Sequence, residues 1–235
     1  MARGMPIPNS EGMGYYVTIE DINADIIVAS EPNKKLVKKA GWIADNRSDV
    51  AVYFKNKGLR VSKTTLGEGF LVIEMEEFQL VATYISPNIS RAEYKAALDR
   101  CMENIRPDET SVILGDFNAK SQEWGAPAQD ERGAALMEWV AALDLVPHNT
   151  GEPTFIRGNS ATHIDITLST QSGARKLSQW RVMENSPITG HQFICFCIGT
   201  QRRHNDRSLK GKIVISREQF EASLAEAGID ELEGE

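Results

Sequence analysis

The pattern of apolar and polar positions predicts a chain of many strands and two well-marked helices. Short apolar runs rich in β-branched residues, bounded by Gly, Pro, Asp, Asn or Ser, are typical of strands. Such runs predict strands at 25–30, 50–54, 70–75, 78–85, 111–115, 164–168, 180–183 and 193–198. Apolar residues at three-and-four spacing predict helices over 92–105, after an N-cap at Ser90, and over 131–143. Because several strands follow one another without a helix between them, antiparallel pairing is expected.

The clearest chemical signal lies at the end of the strand at 111–115, in the stretch Gly115-Asp116-Phe117-Asn118. Open α/β sheets commonly place their chemistry at the carboxyl ends of strands. Asp116 can orient or deprotonate a water there, and the Asn118 amide can donate to the oxygen or phosphate under attack. A simple turn is the competing interpretation, since Gly, Asp and Asn all favour turns.

Two further polar residues lie at predicted strand ends. Glu31 follows the strand at 25–30 and precedes a proline, and Tyr84 lies near the end of the strand at 78–85. A glutamate beside a loop is usually solvated, and a tyrosine at a strand end is usually half-buried, so each has an ordinary structural explanation. Their functional interpretation depends on convergence with the other polar residues.

Asp165 and His191 form a candidate pair. Asp165 lies in the apolar strand at 164–168, and burying its carboxylate costs several kcal/mol unless it is hydrogen-bonded or paired. His191 directly precedes the strand region at 193–198 and could supply that partner, although a lone histidine is more often structural. We therefore predict that these two side chains lie within hydrogen-bonding reach, in one cleft with Glu31, Asp116 and Asn118.

Composition and charge restrict the class of protein only slightly. A chain of 235 residues with 41% hydrophobic content can bury the core of one main domain. The net charge is −7, but residues 213–235 hold seven acids against one base, which leaves residues 1–212 at −1 (25 basic against 26 acidic residues). A nearly neutral body neither demands nor excludes a nucleic-acid partner.

The remaining sequence features bear on location and organisation. Three cysteines give no disulfide framework and no zinc-ligand spacing, and no stretch of eighteen apolar residues or signal peptide is present. We expect a soluble, intracellular protein located in the nucleus. The expected organisation is an irregular leader at 1–15, a main domain at 16–200, and a basic linker with an acidic helix outside the core at 201–235.

The ordered set of motifs resembles the endonuclease/exonuclease/phosphatase superfamily, and most nearly the endonuclease domain of non-LTR (LINE-type) retrotransposons. The resemblance covers roughly residues 16–198, and the segments that carry it are 24–33, 84–88, 115–121, 124–125, 130–133, 144–146, 153–155, 164–168 and 180–182. It implies an α+β, DNase I-like four-layer α/β/β/α sandwich of two mostly antiparallel sheets.

The resemblance also implies a function and a role for each candidate residue. The implied reaction is the hydrolysis of a DNA phosphodiester with Mg²⁺ or Mn²⁺, in which target DNA is nicked to prime a reverse transcriptase domain of the same longer polypeptide. Glu31 would bind the metal, and Tyr84 would contact a non-bridging phosphate oxygen. Asp116 would position or deprotonate the water, Asn118 would hold the water and the phosphate, and Asp165 would orient His191 against the scissile phosphate.

Two departures from the family pattern predict impaired activity. The family begins with a strand that carries a Gln-x-Asn motif, and residues 1–24 contain no match, so the first strand is expected to be missing and a neighbouring strand edge unpaired. The family also has Ser-Asp-His where this chain has Thr189-Gly190-His191, so Gly190→Asp is expected to restore activity in part. Two alternatives therefore stay open: an inactive remnant that binds nucleic acid or protein, and a phosphatase of the same fold.

Overall fold

The computed structural model describes residues 24–39, 41–183, 190–199 and 213–215. The strands within these ranges are β1 (Ile26–Ser30), β2 (Ile43–Ala44), β3 (Val50–Phe54), β4 (Val61–Leu66), β5 (Phe70–Met75), β6 (Gln79–Tyr84), β7 (Ser111–Asp116), β8 (Val146–Pro147), β9 (Phe155–Arg157), β10 (Ser160–Thr162), β11 (Asp165–Ser169), β12 (Leu177–Val182), β13 (Ile194–Ile198) and β14 (Ile213–Ile215). The helices are α1 (Lys34–Lys39), α2 (Arg91–Met102), α3 (Glu131–Ala142) and α4 (Gln171–Ala174). The α+β class is confirmed.

A six-stranded sheet forms the centre of the fold, with the strand order β4-β5-β6-β7-β11-β8. Its pairs are antiparallel except for β6 and β7, which run parallel because α2 returns the chain to the starting edge between them. A second sheet has the order β14-β1-β3-β2, and β12 pairs with β13. The expectation of mostly antiparallel sheets is confirmed.

The two sheets pack face to face through apolar side chains. Ile26, Val28 and Val52 of the second sheet share one buried cluster with Leu80 and Leu114 of the six-stranded sheet. The opposite face of the six-stranded sheet is covered by α2 and α3, whose buried residues join a separate cluster. On the outer face of the second sheet, the short helix α1 contributes Val37 to a third buried cluster.

The two long helices begin where the sequence predicts. Ser90 and Glu93 form a capping box at the start of α2, with reciprocal side-chain-to-backbone hydrogen bonds. Asp130 caps α3 by accepting a hydrogen bond from the Gly133 amide. α2 ends at Met102 rather than at residue 105, because the amides of Asn104 and Ile105 bond to the carbonyls three residues earlier, in tighter turns.

Sequence patterns missed several short or exposed elements. β4 is an edge strand with mostly exposed, polar residues, so it lacks the apolar run that identifies a strand. β14 joins β1 in parallel, so three residues of the segment expected to lie outside the core belong to a sheet. β1 therefore has β14 on one side and β3 on the other, and the predicted unpaired edge is not found at this strand. The predicted leader and acidic helix lie outside the described residues.

No helix in the described part of the chain is long and apolar enough to span a membrane.

Candidate active site

Three of the candidate residues occupy one row across the end of the six-stranded sheet. Tyr84 is the last residue of β6 and is the register partner of Asp116, the last residue of β7. Asp165 is the first residue of β11 and is the register partner of Asp116 on its other side. Asp165 was expected inside its strand. Its position as the first residue is what places its carboxylate at the same sheet end as Asp116.

The glycine before Asp116 is required by the packing of β7 against β6. Gly115 has φ +146°, and a Cβ added there would lie 1.8 Å from the carbonyl oxygen of Thr83. Only a residue without a side chain allows this approach. Gly115 thus brings Asp116 to the sheet end. There Asp116 Oδ1 accepts a hydrogen bond of 3.0 Å from the backbone amide of Asn118.

Asp165 and His191 form the predicted pair. His191 Nδ1 lies 3.0 Å from both carboxylate oxygens of Asp165. On the other side of the ring, His191 Nε2 lies 3.9 Å from Asp116 Oδ2. All three side chains are at least nine-tenths buried. The imidazole therefore lies between two buried carboxylates and is oriented by one of them.

Backbone contacts fix the Asp165 end of this pair. The Thr154 hydroxyl oxygen accepts hydrogen bonds from the amides of Ile164 (3.1 Å) and Asp165 (3.0 Å). Asn149 donates its side-chain amide to the Asp165 carbonyl at 2.9 Å. Neither Thr154 nor Asn149 was singled out from sequence. Thr154 belongs to the motif at 153–155, but its hydroxyl contacts depend on the folded chain.

Glu31 and Tyr84 form a second polar group beside this pair. Glu31 has φ +47° at the end of β1, and its amide donates to the Asp49 carbonyl at 2.7 Å. The Tyr84 hydroxyl is hydrogen-bonded to Glu31 and to Ser86. Burial raises the pKa of Tyr84, and the hydrogen bond to Glu31 raises it further, so the hydroxyl stays protonated as a donor. Tyr84 is also the register partner of Asp116, so the two groups lie side by side at the sheet end.

Asn118 is held in a left-handed backbone conformation with φ +47°, which asparagine tolerates better than most residues. Its Nδ2 donates to the Ile85 carbonyl at 3.1 Å. One amide hydrogen is therefore used within the protein, and the second hydrogen is the one that can reach a ligand.

The buried carboxylates make the site short of positive charge. Burial, together with the nearby charge of Asp165, raises the pKa of Asp116 to about 8, even though His191 opposes the rise. A cation bound near Asp116 would favour its ionised form.

The donor set fits a hard divalent cation. Among the described residues, ligand atoms of Asp116, Asp165 and His191 lie within 4.8 Å of one another. Glu31 is outside this group but acts electrostatically on Asp116. Carboxylate oxygens are the ligands that Mg²⁺ and Mn²⁺ prefer, and Mg²⁺ commonly uses one or two of them together with waters.

Comparison with solved structures identifies the class of fold. The chain is similar to the endonuclease domain of TRAS1, a telomere-specific non-LTR retrotransposon, with a TM-score of 0.59 and 20% identity over 76% of this chain and 100% of that one. It is also similar to an AP endonuclease from Archaeoglobus fulgidus (TM-score 0.56, 12% identity, 75% and 89% covered). A 3′-5′ exonuclease from Neisseria meningitidis gives a TM-score of 0.55 at 14% identity, with 74% and 89% covered. The fold is DNase I-like.

The sequence identifies the family within that class. A profile described as endonuclease-reverse transcriptase matches residues 78–195, half of the chain. The protein belongs to this family, within the endonuclease/exonuclease/phosphatase superfamily. A search of curated proteins gave no match.

Proposed function

We propose that this chain is a divalent-cation-dependent DNA endonuclease domain of the retrotransposon type. The observation that carries the proposal is the Asp165–His191 pair, whose ring nitrogen Nε2 lies 3.9 Å from Asp116 at the sheet end. A histidine held by one carboxylate beside a second carboxylate fits hydrolysis, because one group can activate water while another supports the phosphate. The matched family is described as endonuclease-reverse transcriptase and the similar structures are those of nucleases, which favours DNA over a small phosphate.

Each side chain has a proposed role in the reaction. Asp116 positions or deprotonates the attacking water, and its Oδ1 is oriented by the backbone amide of Asn118. Asn118 uses the second hydrogen of its side-chain amide to hold that water and the phosphate. Asp165 holds His191 by Nδ1, so that Nε2 faces the scissile phosphate. Tyr84 donates its hydroxyl to a non-bridging oxygen when substrate displaces its present partner, Glu31.

Glu31 is the proposed cation ligand. A bound Mg²⁺ or Mn²⁺ would neutralise charge on the equatorial phosphate oxygens, which lowers the barrier to phosphodiester hydrolysis. Glu31 is the one matched metal carboxylate of the family pattern, so weak affinity is expected. We further propose that target DNA in the nucleus is the substrate and that a reverse transcriptase domain in the same polypeptide uses the nick.

A second candidate function is binding without cleavage, and Gly190 favours it. The family pattern has a carboxylate at this position, and here no side chain is available to the site. A Cβ added at Gly190 would lie 2.2 Å from Phe155 Cε2. Gly190→Asp alone therefore requires the phenyl ring to move, and we expect less recovery of activity than the sequence suggests.

Nicking of supercoiled plasmid tests the proposal. Wild type should nick with Mg²⁺ or Mn²⁺ and should stop when a chelator is added. Asp116→Asn and Asp165→Asn should each reduce the rate about 10²–10⁴-fold. Asp108→Asn is the matched control, because this exposed aspartate precedes the opposite end of β7 and should leave nicking unchanged.

The same experiment separates the two candidate functions. Absence of nicking by wild type with either cation, combined with DNA retention in a gel-shift assay, would favour the binding module. Equal nicking by wild type and Asp116→Asn would contradict the assignment of the site itself.

A further inference from the structure

We propose that Phe155 is a positioning residue for His191, and that Gly190 is present because the Phe155 ring occupies the space of its side chain. The proposal deepens the function proposed above and rests on it for its kinetic part. Its structural part concerns only the packing of three neighbouring residues and can be tested without any reaction.

Phe155 contacts His191 through both ring and backbone. The ring centroids are 4.8 Å apart with an interplanar angle of 69°, an edge-to-face arrangement. The two residues also form an isolated antiparallel β-bridge. Edge-to-face contacts between aromatic rings are favourable and directional, so this contact restricts rotation of the imidazole.

Gly190 provides the room that this contact needs. The position of a Cβ at residue 190 lies 2.2 Å from Phe155 Cε2, 2.5 Å from Cζ and 2.8 Å from Cδ2. Three ring atoms thus fill the volume that any other residue would use. Because the obstructing atoms belong to a side chain, a larger residue at position 190 would displace the Phe155 ring rather than the backbone.

Backbone hydrogen bonds hold the two segments in this register. The Ile156 amide donates to the Gly190 carbonyl at 2.6 Å, and the Gln192 amide donates to the Thr154 carbonyl at 2.7 Å. These bonds flank the Phe155–His191 bridge. Backbone hydrogen bonds between the two segments therefore fix the position of the Phe155 ring against His191.

The same two-residue segment supports both members of the Asp165–His191 pair. The Thr154 hydroxyl accepts the Asp165 amide hydrogen bond, and the adjacent Phe155 ring contacts the His191 ring. The Asp165 carboxylate holds the imidazole at Nδ1, which lies 3.0 Å from both of its oxygens. The Phe155 ring packs against the same imidazole as a further contact, which limits displacement of Nε2.

Kinetics separate positioning from direct contact with DNA, which the partly exposed Phe155 could also make. Phe155→Ala should lower kcat for nicking about tenfold, within the range typical of residues that orient a functional side chain, and should leave KM unchanged. Phe155→Tyr keeps the ring and should retain most of the activity. Ile156→Ala is the matched control, because this neighbour is 44% exposed on the adjacent position of β9.

A double-mutant cycle tests the link with Gly190. Gly190→Ala should displace the ring and reproduce the kcat loss of Phe155→Ala. In the double variant Phe155→Ala/Gly190→Ala the second change should cost little, because the space is already empty. Additive losses would overturn the link between the two positions, and a rise in KM without a fall in kcat would assign Phe155 to DNA binding instead.

NMR of the His191 ring gives a readout that needs no catalysis. Replacing Phe155 by Ala should remove its ring-current effect and shift the His191 ring signals, whereas Phe155→Tyr and Ile156→Ala should leave them in place. Unchanged His191 signals in a folded Phe155→Ala protein would overturn the proposal. If wild type fails to nick DNA while these signals shift as expected, the proposed function fails and the packing inference stands.

Discussion

The candidate site is built in two halves that the protein holds in different ways. Tyr84, Asp116 and Asp165 lie on three adjacent strands, where the hydrogen-bond register of the sheet aligns them in one row. Glu31, Asn118 and His191 lie beside strands, in segments that follow β1, follow β7 and precede β13, respectively. The strand half is positioned by many backbone bonds at once, whereas the loop half depends on a few individual contacts.

Backbone conformation marks the same difference. Glu31 and Asn118 both have φ +47°, a left-handed conformation that costs roughly 1–2 kcal/mol for most residues other than glycine and asparagine. Each is held by a specific neighbour: the Asp49 carbonyl accepts the Glu31 amide, and the Ile85 carbonyl accepts the Asn118 side chain. Strain at these points is consistent with a functional site, where it is commonly stored.

The largest expected effect comes from breaking the strand half at Gly115. Gly115→Ala places a Cβ 1.8 Å from the Thr83 carbonyl oxygen at a backbone φ of +146°. The backbone of β6 would have to move, so we expect a loss of about 4 kcal/mol or more in the free energy of unfolding. Urea denaturation monitored by circular dichroism measures the loss.

Gly158→Ala is the matched control for this change. Gly158 also has a positive φ, +58°, but a Cβ there would meet no atom within 4 Å. Its cost should be about 1 kcal/mol, from backbone conformation alone. Similar losses for the two variants would show that steric contact between β6 and β7 does not hold Asp116 in place.

Sequence analysis identified candidate residues in both halves. Strand-end polarity identified Asp116 and His191, and the cost of burying a carboxylate in an apolar strand identified Asp165. The structure places Asp165 and His191 3.0 Å apart, as predicted. The apolar runs predicted the strands that carry them, because buried strands differ sharply from their surroundings in composition. Sequence could not reveal the exposed strand β4, whose residues alternate too little in polarity.

The contact between Phe155 and His191 could not be predicted from sequence, for a different reason. The Phe155 ring lies against His191 because β9 and the segment before β13 form a bridge, and no local pattern encodes that pairing. Gly190 likewise looked like the loss of a functional group. Only the packing shows that a side chain there would meet the Phe155 ring.

An intermediate effect is expected from pH and cation in the strand half. Burial and the nearby charge of Asp165 raise the pKa of Asp116 from 3.8 to about 8. The folded state then binds more protons than the unfolded state between these values, so this contribution to stability is complete below about 4 and is lost as pH rises through about 8. Mg²⁺ competes with that proton, so the rise in melting temperature on adding Mg²⁺ should increase with pH up to this range.

Asp116→Asn provides the control for the titration. It removes the ionisable group, so the Mg²⁺-dependent rise in melting temperature should become smaller and lose its pH dependence. If Mg²⁺ raised the melting temperature of wild type by the same amount at every pH, the cation would not act on Asp116.

The smallest expected effect concerns the backbone of Asn118 and is best measured as a difference between two substitutions. Asn118→Ala and Asn118→Gly both remove the hydrogen bond to the Ile85 carbonyl, but only alanine keeps a Cβ at φ +47°. The glycine variant should therefore be more stable by about 1 kcal/mol.

The opposite order is expected at the control position Thr167, which lies inside β11. There the glycine variant should be less stable than the alanine variant by about 0.5–1 kcal/mol, because glycine loses more conformational freedom when it is fixed in a strand. Thermal denaturation of the four variants measures both differences. The same sign at both positions would contradict the division of the site into a strained loop half and an unstrained strand half.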